Sequence, residues 1–428
     1  MEGAQPKQVH FFVLMVAMVG NSVVWGMGGF MQFHAQMPVS DGGYGLGVFQ
    51  IGIIFGISAC FGAVANIFWG AISDRTTSKW GKRKPFMFIF PPLVLIATWA
   101  SASVDILFGV QAIFITFLII WTVKGVLHSG ANVPYSTVIP EVVPPEKRVL
   151  ISQFSAFIQG IGLVIGAIVP TLLFSFFNVF SIPFLIAGVI LVFFYLVSST
   201  AIPPSAKAVK AEKFFYSIRV TFRDHNFMVF QFAQFLWTLA LNVFLFIIPF
   251  LAYTVIGIQS ESTFGWFYIS FIFIAGVMLL LLNYIMLKRN AKKKKTFMAS
   301  LLLTAIALPF LGFIGTRVYS GIPILVQVYL FGTLVFAGLA GLLILPYAIF
   351  MSLIDYDSGS EATYNGANNA IASLAAIPSG PIGGFLVTMG YPYVGFVCAL
   401  LIILSMVLMM RVNIPEHLFQ KRSLESSV

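Results

Sequence analysis

In "WTVKGVLHSGANVPY" the residues Trp121, Lys124, His128, Asn132 and Tyr135 recur at steps of three and four. That spacing places side chains on one face of a helix. The face would carry a cation, an imidazole that ordinarily titrates near pH 6.5, an amide and two rings. A second stripe reads Gln231, Gln234, Thr238 and Asn242; Asn21 and Trp25 stand one turn apart, and "YNGANNAIAS" offers Asn365, Asn369 and Ser373. Amides donate and accept hydrogen bonds, and rings pack on apolar faces, so these stripes suit a ligand rich in hydroxyls. The same amides could instead hold helices together, at about 0.6 kcal/mol per contact. No phosphate loop, metal-ligand spacing or activated nucleophile accompanies them, which argues against an enzyme and against a bound cofactor.

The elements that position these residues follow from composition. The chain has 428 residues, 59% hydrophobic and only 9% charged, with a mean hydropathy of +0.97. Soluble domains carry roughly a quarter charged residues. A helix needs about 20 apolar residues to cross a bilayer. The expected class is therefore an all-α polytopic membrane protein. Apolar runs give twelve expected spans, at 10–32, 47–72, 85–103, 107–133, 150–174, 181–200, 225–251, 263–287, 296–316, 322–350, 362–388 and 392–411. The N-terminal run reads as the first span rather than a removable leader, since no clear cleavage site closes it. Cys60 and Cys398 each sit in apolar runs and suggest no disulfide framework.

Charge is placed unevenly. Six charged residues crowd into "DRTTSKWGKRK", Asp74 to Lys84, and 22 of the 24 basic residues fall in the termini and in the loops after even-numbered spans. Basic loops stay on the cytoplasmic side, so both termini are expected there, in a cell membrane. The net charge of +10 is then a matter of topology rather than of nucleic-acid binding. Lys124 is the one charged side chain at apparent membrane depth. Its placement costs between about 2.5 and 17 kcal/mol, so it calls for a function. The bland alternative is that it snorkels to the interface, if its span ends near Val133.

A shift of 212 residues superposes Trp25 on Trp237, Pro134-Tyr135 on Pro346-Tyr347, and Lys82-Arg83 on Lys294-Lys295. Two parallel six-span repeats are expected, an N-terminal bundle over 1–200 and a C-terminal bundle over 225–411. A hydrophilic linker at 201–224 joins them, and a tail follows at 412–428. Glycines at 52 and 56, 162 and 166, and 380, 383 and 384 would permit close helix crossings.

"GAISDRTTSKWGKRKP" resembles the loop 2–3 signature of the major facilitator superfamily, in the form seen in glycoside–pentoside–hexuronide and sucrose-type symporters. "PYSTVIPEVVPPEKR" and "YNGANNAIASLAAIPSGPIGGFL" are similar to its loop 4–5 and span 11. The resemblance implies a cytoplasmic gate of Asp74, Arg75 and Arg83, with Glu141 and Arg148 as partners. It also implies a transporter of a sugar or glycoside, expected as a monomer; the charged face of Lys124 and His128 adds the expectation of proton coupling through those two residues. Gly62 and Asn66 stand where melibiose-type members carry acids, so sodium coupling of that kind is not expected. The expected substrate contacts are Asn21, Trp25, Trp121, Lys124, His128, Gln231, Gln234, Trp237, Asn242, Asn365 and Asn369. Two readings stay open beside this one. An unpaired Lys124 would suit an anionic solute such as a uronide, carboxylate or lysolipid, and the missing acids would suit a uniporter. A non-transporting receptor or scaffold would keep the fold without moving a solute.

Overall fold

The computed structural model describes residues 11–109, 112–142, 145–177, 179–202, 223–289, 293–353 and 361–414. Among them, twelve helices are long and apolar enough to cross a membrane. They are α1 (Phe11–Gln36), α2 (Val48–Arg75), α3 (Lys84–Ser101), α4 (Ile113–Val142), α5 (Pro145–Phe176) and α6 (Ser181–Thr200). The second set is α7 (His225–Leu251), α8 (Glu261–Arg289), α9 (Lys293–Gly312), α10 (Ile324–Leu353), α11 (Glu361–Met389) and α12 (Tyr391–Arg411). Most of the 201–224 segment lies outside the described residues.

Each expected span is present, and α4 departs most from expectation. It was expected at 107–133 but begins at Ile113, after a separate short helix Val104–Phe108 that contains Asp105. Gly109, at φ 74, ends that short helix in a left-handed conformation open to glycine. At its other end α4 continues through Pro134 to Val142. Proline is tolerated inside membrane helices because neighbouring groups take up the freed carbonyl. Lys124 thus stands 18 residues from the end of α4, about 27 Å at 1.5 Å per residue. The snorkelling reading assumes a span ending near Val133, nine residues short of this helix end.

The repeat is visible in packing. In the first set α1 lies on α5 and α6, α2 on α4, and α3 on α4 and α6. In the second set α7 lies on α11 and α12, α8 on α10, and α9 on α10 and α12. These are the same five pairings. Moving α2 by 212 residues gives 260–287, beside the observed Glu261–Arg289; moving α6 gives 393–412, beside Tyr391–Arg411. Two seams related by the same repeat join the sets, α2 on α11 and α5 on α8.

Apolar area alone cannot drive helix association in lipid, so close packing must do so. A Cβ added at Gly52 would collide with the Gly380 carbonyl oxygen, and one at Gly265 would meet the Thr171 side chain. Within the first set, Gly162 and Gly166 bring α5 onto the backbone of Val19 and Val23 in α1. Large exposed apolar side chains such as Phe193, Phe273 and Phe396 cover the outside of the bundle. In water they would mark a sticky surface; here they form the lipid boundary of an integral membrane protein.

The α2–α3 connection and the start of α9, with the start of α7 and the end of α12, lie at one end of the bundle, called here the basic end. Lys294 donates to the carbonyls of Met410 (3.0 Å) and Val412 (2.6 Å), capping the last turn of α12. Asn226 and Asn413 exchange two hydrogen bonds beside it, and Asp224 caps α7 by accepting from the Phe227 amide.

Candidate functional site

The α4 stripe and α1 meet at mid-depth. Asn21 donates to Asn132 Oδ1 (3.0 Å), and its own Oδ1 accepts from the Tyr195 hydroxyl (2.9 Å) and from His128 Nε2 (3.1 Å). Because Oδ1 only accepts, Nε2 is the protonated nitrogen of His128. Asn21 is therefore engaged on three sides within the first set. Tyr135 turns away and donates to the Leu14 carbonyl.

Lys124 lies one turn toward the opposite end, 9% exposed, with Nζ 3.6 Å from the centroid of the Trp121 ring. Among the described residues it has no carboxylate partner and no hydrogen-bond acceptor. A cation over an indole face is attracted by the ring quadrupole, worth about 2 kcal/mol when desolvated. Trp121 is held by Phe117 and by Phe55 of α2, at centroid distances of 5.5 and 4.9 Å. Phe55 also reaches Phe246 of α7 at 6.2 Å. The ammonium, its indole and a ring from the other set thus form one continuous run of contacts.

Trp25 is 58% exposed. Its direction on α1 falls between Asn21, which faces α4, and Gly29, which abuts Tyr268 of α8. At 100° per residue each step of four turns the helix by about 40°. The exposed indole therefore faces the space between the two sets, not the lipid. Asn242 on α7 is half-buried and carries no hydrogen bond among the described residues.

Other expected contacts are placed differently. Trp237, 2% exposed, is packed by Phe230 and by Phe297 of α9, so its ring belongs to the core of the second set. Gln231 and Gln234 donate to the Asn368 side chain (3.2 Å) and carbonyl (3.4 Å), while their own Oε1 atoms are buried without a partner. Asn369 is exposed. Asn368 is the residue that sequence reading passed over in favour of Asn365 and Asn369. One position along a helix is 100° of rotation, enough to exchange one face for another. Asn66 of α2 donates to Ser373 of α11 (3.1 Å) and so joins the sets.

Of the expected gate, Arg83 is buried and donates to Ser73, tying the start of α3 to the end of α2. The side chains of Asp74, Arg75, Glu141, Arg148 and Asn365 lie outside the described ones.

The end opposite the basic loops is sealed between the sets. Phe33 of α1 stacks on Phe264 of α8 at 4.3 Å, and Phe30 meets both Phe264 and Tyr268 edge-on. Gln36 donates to the Pro249 carbonyl of α7 (2.8 Å), and His34 pairs with Glu261 of α8 (3.0 Å). No periodic signal in the sequence announces this seal, because aromatic residues make up 16% of the chain and occur on every face.

The family model of the Major Facilitator Superfamily matches residues 10–378. A curated relative, the isoprimeverose transporter of Lactiplantibacillus pentosus, is 23% identical over 139 residues, 32% of this chain and 28% of the relative. The chain thus aligns with less than a third of that relative's length. Among solved structures, the partially occluded inward-open xylose transporter XylE from E. coli superposes with a TM-score of 0.68 at 16% identity. That superposition covers 95% of this chain and 99% of the other, a likeness of fold.

Proposed function

Because the chain belongs to the Major Facilitator Superfamily and is a transporter rather than an enzyme, we propose that it moves a sugar or glycoside by alternating access. The observation that carries this reading is the solvent-exposed Trp25 indole at mid-depth, facing the gap between the sets beneath a closed aromatic seal. An indole together with an uncommitted amide, here Asn242, is the chemistry that packs a sugar's apolar face and bonds its hydroxyls. The naming of the curated relative and of the solved structure as transporters of isoprimeverose and xylose supports the same class.

The basic end is read as cytoplasmic. The conformation is then the one closed to the outside. Solute would sit against Trp25 and Asn242, below Lys124 and Trp121. The run of contacts Trp121–Phe55–Phe246 would transmit its arrival to the seam between α2 and α11. Asn21, Asn132, Tyr195 and His128, bonded to one another, would form the wall beside it. Proton coupling would run through Lys124 and His128, and the N-terminal and C-terminal bundles would rock as two bodies.

A second reading rests on Lys124 alone. With no carboxylate partner among the described residues, its ammonium would suit an anionic solute such as a uronide. Proteoliposomes offered radiolabelled xylose, isoprimeverose and glucuronate separate these readings. Uptake of a neutral sugar supports the first. Uptake confined to glucuronate replaces it with the second, and binding without uptake of any solute would favour a receptor.

A further inference from the structure

Tyr268 of α8 carries a hydroxyl that the described residues leave unused. The buried tyrosines Tyr44, Tyr135 and Tyr195 each donate, to the Ser101 carbonyl, the Leu14 carbonyl and the Asn21 amide oxygen. Tyr268 is half-buried, and its hydroxyl makes no hydrogen bond among the described residues. A phenol taken out of bulk water ordinarily finds a partner. Its ring stacks on Phe264 at 5.6 Å and meets Phe30 of α1 edge-on at 5.8 Å, contacts that a phenylalanine would make equally well.

Two observations fix where the phenol points. A Cβ added at Gly29 would stand 3.2 Å from Cζ and 3.4 Å from the hydroxyl oxygen of Tyr268, so the polar end of the ring reaches across to α1. Trp266, Phe273 and Leu280, seven residues apart and all exposed, form the lipid face of α8. At 100° per residue Tyr268 stands about 200° around the helix from Trp266, on the opposite side. The phenol therefore faces the gap between the two sets. The depths agree. His34 of α1 is bonded to Glu261 at the start of α8, and this contact marks the rim of the sealed end. Tyr268 lies seven residues in from Glu261 and Trp25 nine residues in from His34, about 10.5 and 13.5 Å at 1.5 Å per residue. The phenol stands between the rim and the exposed indole.

From this placement we propose that Tyr268 is the roof of the solute site: its ring closes the site on the rim side, and its hydroxyl bonds an oxygen of the bound sugar. The inference rests on the sugar-transport reading and adds to it a contact from α8. A phenol both donates and accepts, as a sugar hydroxyl does. Trp25 belongs to the first set, and Asn242 and Tyr268 to the second, so a sugar touching all three bridges the sets. A ligand shifts an equilibrium toward the state it contacts more fully, so a bridging sugar favours the closed rim. Gly29 sets the room, because any side chain there presses on the phenol.

The test is isothermal titration calorimetry on full-length protein. Xylose and isoprimeverose are titrated first, and the tighter of the two is followed with its monodeoxy analogues in wild type and Tyr268→Phe. The variant keeps the ring, so its ligand-free melting temperature should match that of the wild type. Its affinity for the sugar should fall about fivefold, the scale of one neutral hydrogen bond. One deoxy analogue should bind the wild type about fivefold more weakly than the parent sugar. Tyr268→Phe should weaken that analogue no further, while the other analogues still lose affinity. Equal sugar affinity in wild type and variant, the same loss with every analogue, or a lower ligand-free melting temperature overturns the roof and leaves sugar transport standing. If the wild type binds neither xylose nor isoprimeverose, the sugar reading is wrong and the roof falls with it.

Discussion

Asn21 accepts two hydrogen bonds and donates a third, so its loss orphans a tyrosine, a histidine and an amide at once. Buried polar groups left unpaired cost about 1–3 kcal/mol. Asn21→Ala should lower the melting temperature more than Tyr195→Phe, which removes one donor and leaves Asn21 with two partners. Equal shifts would mean that the network does not act as a unit. His128 and Lys124 shared a helix face in the sequence, and the structure separates their roles: one is held by an amide, the other lies over an indole. Periodicity shows which residues share a face but not what stands opposite. That is why Asn132 and Asn21 were each visible in the sequence, while the bond between them, across 111 residues, was not. On α11, Asn365 and Asn369 drew attention in the sequence, and Asn368 is the residue that bonds to α7.

Between elements, small residues set how near two backbones come. Gly52 and Gly380 approach so closely that a methyl on either would meet the other's carbonyl. Gly52→Ala and Gly380→Ala should therefore hold the α2–α11 seam apart. The expected outcome is loss of transport with raised thiol labelling of a cysteine placed at Val39 on the rim. Unchanged labelling would show that this seam does not control the rim. Lys294→Gln removes a charge from the last carbonyls of α12, an interaction worth about 0.3–1 kcal/mol, and should cost a small drop in melting temperature without loss of transport. The glycine pairs were legible as crossing points because small residues four apart have few other uses in an apolar helix. Their partners were not legible, since no local pattern pairs residue 52 with residue 380. The basic loops read as a topology signal, and one of their lysines, Lys294, proves to cap α12.

For the whole molecule, the twelve spans and the two repeats follow from hydropathy, charge placement and a 212-residue shift, and the five shared helix pairings repeat the same plan in space. Sequence could not say which end is closed, because the seal is built from common aromatics brought together by the fold. The account places solute against an exposed Trp25, with Lys124 and Trp121 above it and the sealed rim beyond. The most direct test is a thermal-shift panel of neutral mono- and disaccharides and uronic acids on the wild type, Trp25→Ala and Lys124→Gln. A ligand at 100 times its dissociation constant stabilises the fold by about 2.7 kcal/mol, a readable shift. The account predicts a rise with a neutral sugar that disappears in Trp25→Ala. A rise with uronates alone that vanishes in Lys124→Gln, or a sugar shift undiminished in both variants, would contradict it.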